Sequence, residues 1–256
     1  MLITDPWFYA VAIPVVILTG ISKTGFPGLF AGMSVPVLTL VISPVQAAAI
    51  MLPLLCVIDL WGLSAYRGVW DKQNLKISIV GATIGIAIGG LMFGVLSDDA
   101  VKLLTGGIAV VFGLNNLFGW ARRPRPATQA SWKKGVPWMA LSGFTSTIAH
   151  AGGPPAFVYL IPQRMERAIY VGTTVWVFSY VNFAKLVPYG LLGQLQGANL
   201  WTAFALTPLV PVGVWLGKYL QSRVKNDVIF YKICYWAMLI IGVKLLWDAL
   251  WHLSHG

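Results

Sequence analysis

Apolar residues fall in long blocks along this chain, with polar residues gathered in short breaks between them. Six blocks, at 46–66, 75–96, 101–120, 168–189, 200–220 and 228–251, approach or exceed the roughly 20 residues that a helix needs to cross a bilayer. Two more, 7–42 and 135–161, are apolar but interrupted near the middle, at Lys23-Thr24-Gly25-Phe26-Pro27-Gly28 and at His150-Ala151-Gly152-Gly153-Pro154-Pro155. Irregular backbone at membrane depth must be buried in protein or line a cavity, so each interrupted block is read as a broken, re-entrant hairpin.

The order is hairpin, three helices, a linker at 122–134, then hairpin and three helices again. An offset of 123 pairs Pro14 with Pro137, Gly20 with Gly143, Thr24 with Thr147, Asp59 with Asn182, Tyr66 with Tyr189, Gly90 with Gly213 and Gly94 with Gly217. These positions sit at helix breaks, close-packing faces and buried polar sites, which argues for duplication more than their number does. The expected fold is an all-α polytopic membrane protein of two repeats, 1–121 and 135–256. An odd number of crossings per half makes the repeats inverted.

Composition agrees: 57% of the residues are hydrophobic and 10% charged, against about 45–50% and 25% in soluble chains. No sizeable soluble domain fits. The net charge of +10 would suggest nucleic acid in a soluble protein. Here it follows from topology, because short cytoplasmic loops concentrate Lys and Arg. If both hairpins return to their starting side, Arg67, Lys72, Arg122, Arg123, Arg125, Lys133, Lys134, Arg164, Arg167, Lys218, Arg223 and Lys225 share one face. That face is expected to be cytoplasmic, with both termini opposite and the chain in the inner membrane.

The N-terminus has Asp5 and no basic residue before the first apolar run, so it does not read as a signal peptide. Cys56 and Cys234 lie in apolar blocks and suggest neither disulfide nor metal cluster. No phosphate-binding loop of the ATPase kind, metal site or cofactor motif is present. Gly81, Gly85 and Gly89, with Gly213 and Gly217, form flat helix faces suited to close packing. Tryptophans near the block ends read as interfacial belts.

Charge inside an apolar block costs at least about 2.5–3.5 kcal/mol at the bilayer centre, so such residues mark pathways. Lys23 lies in the first break, Lys185 lies one helical turn from Asn182, and Asp59 occupies the position paired with Asn182. Glycines ahead of a helix-starting proline present N–H donors and the positive end of a helix dipole, which favour an anion. The candidate binding set is Lys23, Thr24, Gly25, His150, Gly152, Gly153, Asn182 and Lys185. Asp59 and His150 are candidates for proton coupling; Asp59 reads equally as a counter-ion. Ser22, Thr24, Ser146 and Thr147 are candidate hydroxyl donors, though helical hydroxyls often bond their own backbone.

The runs Gly20-Ile21-Ser22-Lys23-Thr24-Gly25-Phe26, Leu52-Pro53-Leu54 to Asp59, His150-Ala151-Gly152-Gly153-Pro154-Pro155 and Asn182-Phe183-Ala184-Lys185-Leu186-Val187-Pro188-Tyr189 resemble the TauE/SafE family of sulfite and organosulfonate exporters. The likeness covers nearly the whole chain and implies a secondary transporter of sulfite, sulfoacetate or a related sulfonate, without enzymatic activity. A homo-oligomer is left open. Two rival readings stand beside it. One is a proton-coupled importer of a small oxyanion. The other is an intramembrane hydrolase built on Ser146, His150 and Asp59.

Overall fold

Three helix starts in the first half are set by side chains that accept a free backbone N–H group. Asp5 accepts from Trp7 N at 2.9 Å and opens α1, Pro6–Thr24. After the short α2, Ser34–Leu38, and α3, Pro44–Ala65, Asp71 accepts from Asn74 N at 2.7 Å and opens α4, Lys72–Leu91. Ser97 caps α5, Asp98–Leu117, through Ala100 N at 3.3 Å. The second half holds α6, Trp132–Ala149; α7, Gly153–Leu160; α8, Arg167–Leu191; α9, Gly197–Leu206; α10, Val210–Arg223; and α11, Asp227–His255. The computed structural model describes residues 3–26, 34–38, 41–42, 44–92, 97–118, 126–193, 195, 197–224 and 226–255, and no strand occurs among them.

The blocks 46–66, 75–96, 101–120, 168–189 and 228–251 overlap α3, α4, α5, α8 and α11. The block 200–220 does not form one uninterrupted α-helix: Thr207–Leu209 is a 3-10 turn between α9 and α10, with Pro208 at its start. Proline there removes a backbone donor, and Pro211 follows at the start of α10, so the ladder tightens locally. The linker is shorter than expected, because α6 begins at Trp132 and takes in Lys133 and Lys134. Arg122, Arg123, Arg125 and Lys225 lie outside the described residues, as do Pro27, Gly28 and Gly94.

Four helical stretches are long and apolar enough to cross a membrane: Pro6–Thr24, Gln46–Ala65, Lys72–Leu91 and Gly197–Arg223. Their outer faces are apolar too, with Trp7 75% and Leu91 85% exposed.

Each half lends a helix to the other. The closest associations are α4 on α6, α5 on α11, α1 on α10 and α3 on α8. Glycine makes three of these seams possible, Gly106 and Gly242 meeting between α5 and α11. A Cβ at Gly20 would stand 2.9 Å from the Gly213 backbone, and one at Gly85 would overlap the Ala140 carbonyl oxygen. Backbones meet where other helix pairs interpose side chains. The seams bring the C-terminal end of α1 and the α6–α7 break against α3 and α8, which sit at the centre.

Candidate functional site

Lys23, in the last turn of α1, forms an ion pair with Asp59 of α3. Asp59 is 1% exposed, and its second oxygen accepts from Asn182 Nδ2 of α8 at 2.7 Å. The carboxylate thus has a charged and a neutral donor on opposite oxygens, which is what a buried charge needs to be tolerated. Asp59 and Asn182 are the two residues paired by the offset of 123, and here they touch.

In the second half α6 is capped by His150, which sits in the left-handed region at φ 52° and ψ 24° and reverses the chain toward α7. Hydroxyls of α6 fasten the break. Ser142 Oγ donates to Gly152 O at 2.6 Å, and Thr145 Oγ1 donates to Ala151 O at 3.1 Å. A Cβ on Gly152 would stand 2.7 Å from Ser142 O, so the loop closes this tightly only with glycine there. Pro154 and Pro155 follow in the first turn of α7, where a missing N–H leaves no bond unmade.

Between these ends lies a cavity of about 70 Å³. Lys23, His150, Gly152, Gly153, Asn182 and Lys185 line it, together with Ser146, Thr174 and Phe178 among others. Lys185 is 1% exposed, and its Nζ donates to Ser146 O at 3.2 Å and to Ser146 Oγ at 3.1 Å. Among the described residues it makes no ion pair. His150 Nε2 lies 2.8 Å from the Tyr189 hydroxyl.

Thr24 and Gly25 face elsewhere. Thr24 is fully buried, and its Oγ1 donates to Gly20 O at 2.8 Å and to Val214 O of α10 at 3.1 Å. Gly25 packs against Gly217, and its N–H closes α1 onto Ile21 O at 2.9 Å. Both serve the α1–α10 seam. Among the candidate hydroxyls only Ser146 reaches the cavity, since Thr147 Oγ1 donates to Gly143 O at 2.8 Å and Ser22 Oγ to Phe26 O at 3.4 Å.

Two tyrosines carry a matching bond. Tyr66 donates to Thr24 O, and Tyr189 donates to Thr147 O at 3.1 Å, so donors and acceptors are both 123 residues apart. The tyrosines were legible as equivalent positions, but nothing local announced their partners. Thr174 and Phe178 were also missed. Their spacing with Asn182 and Lys185, in steps of four, four and three residues, marks one face of α8 and was the available signal.

The hydrolase constellation is not assembled. Ser146 Oγ bonds Lys185, His150 bonds Tyr189, and Asp59 bonds Lys23 and Asn182. A serine nucleophile needs its base within hydrogen-bond reach, and none of these three residues reaches another.

Searches of curated proteins and of solved structures find no match. The family model described as the sulfite exporter TauE/SafE matches residues 12–245, nearly the whole chain, and the protein belongs to that family of membrane transporters.

Proposed function

We propose that the protein exports a small sulfur-containing anion, such as sulfite, sulfoacetate or a related organosulfonate, across the inner membrane, binding it in the cavity between α1, α6, α7 and α8. Lys185 carries this reading. Its ammonium has three protons, and Ser146 takes two. The third is left for a ligand in the cavity. Lys23 and Lys185 against Asp59 leave one uncompensated positive charge, which a bound monoanion neutralises. The α7 N-terminus, with Gly152 and Gly153 on the cavity wall, adds a favourable dipole. A cavity of about 70 Å³ is small, which favours the smaller members of the class.

The matched tyrosine bonds and the exchange of helices between halves support two inverted repeats rocking around this cavity in alternating access. The basic loops then face the cytoplasm. Asp59, with both oxygens occupied, acts as the counter-ion of Lys23. Outward movement of one negative charge gains about 2.3 kcal/mol per 100 mV when the cytoplasm is negative, so export needs no further driving ion.

Thermal unfolding of purified protein with sulfite, sulfate, sulfoacetate, taurine, acetate and phosphate tests the reading. A ligand specific to the folded state raises the midpoint by mass action. A shift with sulfite or a sulfonate that disappears in Lys185→Ala is expected. A panel that shifts nothing in wild type defeats the proposal. Flux of the active anion from proteoliposomes under an imposed potential then fixes direction.

A further inference from the structure

His150 and Tyr189 form a unit with a definite proton arrangement. The Tyr189 hydroxyl stands 2.8 Å from His150 Nε2 and 3.1 Å from the Thr147 carbonyl oxygen. A carbonyl only accepts, and a phenol carries one proton. Both contacts are satisfied together when that proton points to Thr147 and the hydroxyl oxygen accepts from Nε2–H. Neutral His150 is thereby held in the Nε2–H tautomer, leaving a lone pair on Nδ1. Among the described residues Nδ1 has no partner, and His150 lines the cavity. The backbone limits escape, because the left-handed φ of 52° pins the residue at the tip of the break. In the first half Tyr66 bonds Thr24 O with no histidine involved, and Pro27 stands where the offset of 123 would place one.

We infer that Tyr189 is a positioning residue that ties anion binding in this cavity to one proton. With Nδ1 bare, the ring presents a lone pair to an incoming anion. Binding then takes either a proton onto Nδ1, turning it into a donor, or an anion that still carries its own O–H. This rests on the cavity being the anion site. The titratable and charged groups around the ring are Lys185 and Tyr189 on α8, Asp59 and Cys56 on α3, Lys23 on α1, and the Lys244–Asp248 ion pair on α11, the helix that packs on neighbouring Ala151. Asp59 and Asp248 are each paired with a lysine. His150 and Lys185 are therefore the groups left to take up a proton, and the His150→Asn variant tells them apart.

Calorimetric titration of the full-length protein in detergent with methanesulfonate, which has no proton to give between about pH 5 and pH 8, decides the matter. Two buffers of different ionisation enthalpy report the protons taken up per anion bound. Wild type is expected to take up about one above the imidazole's titration, with affinity falling about tenfold per pH unit there. Tyr189→Phe frees the ring to adopt the Nδ1–H tautomer, so it binds with uptake near zero and a flattened pH profile. His150→Asn keeps a residue tolerant of the left-handed region and an amide donor without a titration, and gives the same flat profile. A merely structural Tyr189 would lower affinity or the unfolding midpoint and leave the uptake unchanged. If both variants keep wild-type uptake, or if His150→Asn does so while Tyr189→Phe fails to fold, the inference is overturned and the cavity remains the anion site. If wild type binds none of the anion at any pH while sulfite also fails to shift its midpoint, the reading of the cavity falls and the inference with it.

Discussion

The two helix breaks use the same backbone device and opposite chemistry. In each, a threonine hydroxyl bonds back one turn at 2.8 Å and a tyrosine holds the threonine carbonyl. The charges differ. The first break carries Lys23, matched by Asp59 on α3; the second has Ser146 and Asn182 at those places and puts its lysine, Lys185, a turn further on with no ion-pair partner among the described residues. One bonding pattern that occurs twice, once beside a neutralised lysine and once beside an unneutralised one, shows how a fold can fix geometry twice and place net charge once.

Breaking the neutral half has the largest expected effect. Asp59→Asn keeps the shape and strands Lys23 without its carboxylate, which should destabilise by about 3–5 kcal/mol; chemical denaturation in detergent measures it. The unneutralised half responds the other way. Lys185→Ala removes a buried charge that has no ion-pair partner among the described residues, so the unfolding midpoint should hold or rise while affinity for the bound anion falls about 10- to 100-fold. A variant that loses stability and affinity in proportion would make the two lysines equivalent and erase the comparison.

Two of the glycine seams sharpen it further. Gly85→Ala and Gly213→Ala each push a Cβ into facing backbone and should cost about 1–3 kcal/mol by the same assay. Gly107→Ala, which meets nothing within 4 Å, should be neutral or gain up to about 1 kcal/mol. Tyr66→Phe should cost less than either seam variant, about 0.6 kcal/mol, the mean for hydrogen bonds between membrane helices. Proton uptake on anion binding should stay at the wild-type value in that variant, since no histidine depends on Tyr66.

Much of this was readable from the chain. Lysines in apolar blocks stand out because charge there is expensive, and Lys23, Lys185 and Asp59 were found that way. Helix positions followed from block length. The 3-10 turn at Thr207–Leu209 was missed because hydropathy runs unbroken across Pro208. Thr24 and Gly25 were read as facing the cavity because they lie within its motif. What turns them away is α10, whose Val214 is 190 residues further along, and no local pattern carries that information.

That distance also bears on biosynthesis. Gly20 of α1 acquires its partner only when the segment around Gly213 emerges, and at roughly 5–20 residues per second the wait is about 10–40 s. Throughout it α1 must rest in the bilayer with Thr24 Oγ1 restricted to its own helix, bonding Gly20 alone. The first-made helix is thus among the last to be locked in place, and a chain truncated before α10 should be a target for membrane quality control.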